Sequence, residues 1–326
     1  MDPTLITKLQ AVGGHVSKTL LLKNAIRIPD LMWKSYREEL RQTPEDSFFA
    51  HDAAHRLVLI MGAAGYRPLI ERHDTKNEFV FVHAKGAEET RKQFGYRDTR
   101  FKLPSEPATV YPYKPIGPSL ETPLGQRLDM VCPDIVAYIL VEKRSWDLVD
   151  LGPKLFKLED IEKEVSALAG GQKTLNYLRE RHFQIGPDFL NHQSEDLGLG
   201  GVSDINLLGP RSGDEPKYMR FDASRVGHDE DEEEAAVALQ SFKNALIDIG
   251  KKQQIPMHLE RGDVLLVNNR RVATQWLTTR RQGRVTTHQY PTPLTAGDRV
   301  VLRMSFFQPS SKQLASSAAG RANRYE

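Results

Sequence analysis

RGDVLLVNNRRVATQW, residues 261–276, is the stretch on which the fold turns. Within it, 263–268 is an apolar run of strand length. Working outward, 202–208, 217–221 and 299–307 also read as strands. Between them, residues 228–250 (HDEDEEEAAVALQSFKNALIDIG) set Ala236, Leu239, Phe242, Leu246 and Ile249 at helical spacing behind an acidic start. The acids at 229–234 read more simply as favourable charge at a helix N-terminus than as a cation site.

Upstream, residues 134–141 (DIVAYILV) form another strand, followed by helices at 158–168 and 172–181 with GGQK (170–173) as the break between them. Six prolines interrupt 104–123, which is expected to run as extended coil. NEFVFVH (77–83) is a strand, whereas 30–41 and 50–65 have helical spacing. The first 22 residues read as an ordinary first helix. Residues 310–326, rich in Ser, Ala and Arg, read as a loose tail, leaving 1–309 as a single domain whose first 95 residues are mainly helical. No GxGxxG follows a strand and no GxxxxGK[ST] occurs, so nucleotide-binding folds have no support. The expected class is α+β, a β-rich core wrapped by helices.

Composition narrows the function. The 326 residues carry 45 Lys+Arg against 43 Asp+Glu, a net charge of +2, which gives no electrostatic case for a nucleic-acid partner. The one cysteine, Cys132, cannot close an internal disulfide. No apolar run approaches membrane-spanning length and the N-terminus does not read as a signal peptide, so a cytoplasmic protein is expected. Ten histidines and many carboxylates leave a nitrogen and oxygen metal site arithmetically open.

RGDVLLVNNRRVA resembles the strand preceding the distal iron-binding histidine in the clavaminate synthase and taurine dioxygenase superfamily of Fe(II)/2-oxoglutarate oxygenases. Other pieces fall in that family's order: PKLFKLEDIEKEVSAL at its central helices, HFQIGPD at a strand entering a hairpin, EPKYMRFD before its long helix, and DRVVLR with two arginines four apart. SLETPLGQRLDMVCPDIVAYILV is similar, without a gap, to the segment carrying its His-x-Asp/Glu motif. The resemblance covers residues 96–307. It implies a double-stranded β-helix, a jelly-roll-like core with flanking helices, whose mouth holds iron and 2-oxoglutarate.

The same match puts Pro123, Gly125 and Thr274 where the two histidines and the carboxylate of the iron site belong. None is a ferrous ligand at neutral pH, so the resemblance implies a degenerate facial triad and no metal. His192 and Glu195 fall in a hairpin loop away from the iron position; His288 could swing inward, but without its partners. The arginines are retained. Arg299 and Arg303 lie two strand repeats apart and share one face, where paired guanidiniums can grip carboxylates bidentately. By resemblance, Arg299 matches the arginine that holds 2-oxoglutarate and Arg303 the one near the substrate carboxylate. A pair of surface arginines on an edge strand is the plainer alternative.

A carboxylate clamp without iron leaves binding alone or chemistry that needs only positioning and proton transfer. Glu78 and His83, at the ends of NEFVFVH, are candidate acid and base; Glu121 is an independent candidate, and Arg72 could hold a substrate carboxylate. Each has the ordinary alternative of a solvated strand-end or loop residue. The leading expectation is a metal-independent enzyme of specialised metabolism, without cofactor, acting on a small amino or keto acid by condensation or cyclisation, for instance of Pictet-Spengler type. Two alternatives stand beside it: an Fe(II)/2-oxoglutarate-dependent hydroxylase with unusual ligands, and a non-catalytic pseudo-oxygenase. No nucleic acid or membrane partner is expected; a homodimer is compatible with the sequence.

Overall fold

The computed structural model describes residues 2–13, 18–27, 48–69, 79–84, 114–115, 130–131, 133–142, 153–180, 182–185, 202–209, 218–221, 226–228, 231–252, 258–275, 285–287 and 299–309. In chain order the elements are α1 (Pro3–Gly13), β1 (Thr19–Leu22), α2 (Phe48–Ala63), β2 (Arg67–Pro68), β3 (Phe79–Ala84), β4 (Lys114–Pro115), β5 (Met130–Val131) and β6 (Ile135–Glu142). There follow β7 (Lys154–Lys157), α3 (Leu158–Ser166), α4 (Gly171–Leu178), β8 (Phe183–Ile185), β9 (Val202–Ile205), β10 (Val226–His228) and α5 (Glu233–Lys252). The last strands are β11 (Val264–Asn268), β12 (Val272–Gln275), β13 (Val285–Thr287) and β14 (Arg299–Phe307).

Seven strands form the principal sheet, in the order β1-β11-β6-β14-β3-β13 with β2 added beside β14, and every pair is antiparallel. Its central strands are apolar on both faces because both faces are covered. On one face Ala137, Ile139, Val264, Leu266, Leu302, Met304 and Phe306 pack with Leu9 and Val12 of α1 and Ala53, Leu57 and Met61 of α2. On the other, Val136, Tyr138, Leu140, Leu265, Val267 and Val301 meet Val272 of β12, with Leu155 of β7 against them. The strands β12 and β7 form a separate antiparallel pair that faces this side.

A second core lies beyond β7. Helix α5 places Ala235, Ala238, Leu239, Phe242, Ala245, Leu246 and Ile249 on one buried face, packed with Phe156, Ile161, Val165, Leu175 and Phe183. Glu233 and Glu234 lie in its first turn and Lys251 and Lys252 in its last, both complementing the helix dipole. The break between α3 and α4 falls at Gly170, with φ 71°. At Gly171 a Cβ would collide with the carbonyl of Val165, so the sharp turn requires glycine there.

Several local expectations are corrected. The first helix ends at Gly13, and Thr19–Leu22 is a strand on β11. Its leucines alternate between cores, Leu20 and Leu22 toward the helices and Leu21 toward the opposite face, a period-2 demand that a helix does not meet. In PKLFKLEDIEK, Lys154–Lys157 is extended and the helix begins only at Leu158, whose N–H bonds the Arg271 carbonyl. Pairing with β12 overrides the local helix preference of this segment. Of 217–221, Met219 makes an isolated bridge to Leu208. Val226–His228 is a strand beside β8, and α5 begins at Glu233, within the acid run. Within the proline-rich stretch, Lys114–Pro115 pairs with Met130–Val131 as a two-residue ladder. The expected helix at 30–41 lies outside the described residues.

Candidate functional site

Three strands carry the polar residues of the face between the sheets. On β14, Val301 belongs to that face while Leu302, Met304 and Phe306 belong to the helix-covered face, so the strand alternation sets Arg303 and Ser305 with Val301. Arg303 is 2% exposed and Ser305 is fully buried. Directly across the ladder, Arg303 is level with Tyr138 on β6 and with Val80 on β3. Tyr138 is itself fully buried, and its hydroxyl lies 2.8 Å from Oγ1 of Thr274 on β12. Arg303 and the hydrogen-bonded pair Tyr138–Thr274 therefore share the face where the principal sheet meets the β7–β12 pair.

Arg299 is at the start of the same strand. The β14–β3 ladder runs without a register shift from Arg299 opposite Ala84 to Met304 opposite Phe79, so the backbone keeps Arg299 in the row of Arg303. The β14–β6 ladder is interrupted by an irregularity between Val300 and Val301. His83 is level with Val300 and Thr286, one residue out of phase with the arginine row. Glu78, Glu121, Arg72, Pro123, Gly125, His192, Glu195 and His288 lie outside the described residues.

Two shifted groups, Tyr66 and Asp263, lie in the frame of the principal sheet. Burial, helped by the negative charge of Asp134, pushes the Tyr66 phenol up to about 12. Burial would raise Asp263, but Lys23 Nζ at 2.7 Å and the N–H groups of Asn24 and Glu260, each at 2.8 Å, outweigh it and hold the carboxyl below its ordinary value. Asp134 accepts from Arg270 Nε at 2.7 Å and from the Gln308 N–H at 2.8 Å, which joins the start of β6, the turn after β11 and the end of β14. These groups fix the strand ends that position Arg303, Tyr138 and Thr274.

Taking a guanidinium out of water costs several kcal/mol, and buried Arg303 has an interaction of its own within the chain; a guanidinium can also give two N–H bonds to one carboxylate. The arrangement does not suit iron at Thr274. That hydroxyl is paired with a second neutral hydroxyl, and neither oxygen matches the imidazole or carboxylate donors that ferrous sites use. Among the described residues, no group of three or more His, Cys, Asp or Glu is placed to hold a metal ion. Tyr138 and Ser305 were not evident as site residues in the sequence. Tyr138 is the one polar side chain in an apolar run, a usable signal, but its partner becomes visible only with the strand register.

No family model matches the sequence, and no curated protein matches it. Among solved structures, asparagine oxygenase in complex with Fe(II), 2S,3S-3-hydroxyasparagine and succinate matches with a TM-score of 0.50 at 13% identity, over 94% of this chain and 80% of that one. The chain is similar in fold to asparagine oxygenase. The non-heme iron oxygenase OrfP in complex with Fe and L-Arg is also similar, with a TM-score of 0.46, 14% identity and 94% and 85% of the two chains covered. At such identities the asparagine oxygenase likeness concerns fold alone, and on fold it agrees with the resemblance carried by RGDVLLVNNRRVA. Among the described residues, no helix is long and apolar enough to cross a membrane.

Proposed function

We propose that this protein is a metal-independent enzyme that binds a small amino or keto acid on the face between its sheets and acts on it by proton transfer. The observation that carries this reading is the placement of buried Arg303 level with Tyr138, whose hydroxyl is committed to Thr274 at the position where the resemblance expects an iron-binding histidine. In this reading the sheets close into a jelly-roll-like barrel. Arg303 and Arg299 hold the carboxylate, with Arg72 as a further anchor, and Glu78 or Glu121 supplies acid and base, His83 being out of phase with the arginine row.

The reaction class is a condensation or cyclisation. An amine nitrogen of the bound acid attacks a carbonyl carbon, the C–N bond forming as the C=O π bond opens; the base moves the proton from nitrogen to that oxygen, and the acid then protonates the resulting hydroxyl, which leaves as water while the nitrogen lone pair forms C=N and the iminium proton returns to the acid. The likeness in fold to asparagine oxygenase favours a second reading, an Fe(II)/2-oxoglutarate-dependent hydroxylase of an amino acid. The two differ in what they consume. Protein treated with chelator and kept under nitrogen, incubated with L-amino acids plus aldehydes or 2-oxo acids, is expected to give condensation products by mass spectrometry. Product that forms only with Fe(II), 2-oxoglutarate and oxygen overturns the proposal in favour of the hydroxylase.

A further inference from the structure

At the far side of the second core, His182 sits between the end of α4 and the start of β8, with its side chain 28% exposed. Its ring stacks on Tyr177, with centroids 4.3 Å apart and planes 17° from parallel. Nε2 faces Glu180 at 3.0 Å, and Nδ1 faces Glu232, just before α5, at 3.2 Å. The Tyr177 hydroxyl donates to the same Glu232 at 3.4 Å. One residue into the helix, Glu234 is held by Lys173 of α4 at 2.7 Å, and Arg179 of the same turn is held by Glu162 of α3 at 2.7 Å. On β10, His228 is level with Phe183.

Both ring nitrogens of His182 meet carboxylates. A neutral imidazole has one N–H and one lone pair, so it can donate to only one of them and turns its lone pair on the other. Only the protonated ring satisfies both. We infer that His182 is a proton-operated clasp that ties the α4–β8 turn to the first turn of α5 when charged and releases it when neutral.

Burial alone would make His182 harder to protonate, but the bonds to Glu180 and Glu232 outweigh it and raise its pKa above the ordinary value. A group raised in the folded state adds stability that is complete below its unfolded value and is lost as the pH rises through the folded one. The clasp is therefore closed at low pH and opens as the pH rises through the raised folded value. Its first consequence falls on Ala236, whose N–H bonds the carbonyl of Glu232.

Imidazole NMR titration of the full chain, with His182 assigned through His182→Gln, tests this directly. His182 is expected to titrate above about 6.5 and to move down in Glu232→Gln. The intrinsic-rate-corrected protection of the Ala236 amide should fall by up to about fivefold, the range open to a partly exposed ion pair, as the pH rises through that value. In His182→Gln the same protection should be independent of pH. Titration of His182 at or below 6.5, or an Ala236 amide equally protected on both sides of the transition, overturns the clasp.

Discussion

The hydroxyls of Tyr138 and Thr274 meet at 2.8 Å across the space between two sheets, one on β6 of the principal sheet and the other on β12 of the β7–β12 pair. Their bond is a polar link in a contact otherwise made by Val136, Leu140, Val267, Val272 and Val301. It also fixes the ring of the residue that stands level with Arg303.

Because both hydroxyls are buried, removing one leaves the other short of a partner. Thr274→Val and Tyr138→Phe are each expected to cost about 1–3 kcal/mol. The double variant should cost less than the sum of the two, because each single change already removes the bond they share. Urea unfolding of the four proteins checks this; strict additivity would mean that the two groups do not interact.

Ligands that bind the native state raise its melting temperature. A panel of L-amino acids and 2-oxo acids is therefore expected to contain at least one that raises Tm in the presence of chelator. Fe(II) added alone is expected to leave Tm unchanged, since Thr274 offers it no suitable donor. A thermal-shift series run in both conditions separates these outcomes.

Asp263 makes the protein acid-sensitive. It is 1% exposed, and its carboxyl is held low by Lys23 and two backbone N–H groups against the opposing effect of burial. A depressed carboxyl contributes stability above its unfolded value of about 3.9 that is lost as the pH falls through the folded one. Asp263→Asn is expected to lose about 1.5–3 kcal/mol at neutral pH and to show a shallower decline as the pH falls below about 4. Unfolding free energies across that range measure both effects.

Two glycines with positive φ should respond differently to alanine. Gly65, at φ 90°, has open space where a Cβ would stand, whereas Gly262, at φ 83°, would drive a Cβ into the carbonyl of Ile26. Gly65→Ala is expected to cost about 1–2 kcal/mol, the strain of the left-handed backbone alone. Gly262→Ala should cost more, because the Ile26 N–H also bonds the Gly262 carbonyl and the turn cannot shift without losing it. Thermal unfolding of the two variants gives the comparison.

The long, self-consistent elements were legible in the sequence. Helix α5 shows itself through Leu239, Phe242, Leu246 and Ile249, and β6, β11 and β14 through apolar runs of strand length. The short strands were not, because β1, β7, β12 and β13 owe their conformation to partners far away in sequence: Thr19–Leu22 to β11, and Lys154–Lys157 to Val272–Gln275. The site divides in the same way. Arg303 is legible from its spacing with Arg299 and Thr274 from the family resemblance, whereas Tyr138 acquires meaning only from the register that sets it opposite Arg303 and from the sheet packing that brings Thr274 to it.

The central claim is that Arg303 holds a carboxylate without a metal. Titration calorimetry on chelator-treated protein, using 2-oxoglutarate and the L-amino acids that raise Tm, measures this most directly. Saturable binding is predicted for the wild-type chain and its loss, by at least about tenfold in Kd, for Arg303→Met, the scale set by one charged hydrogen bond. Binding that appears only after Fe(II) is added, or that survives Arg303→Met unchanged, would contradict the account.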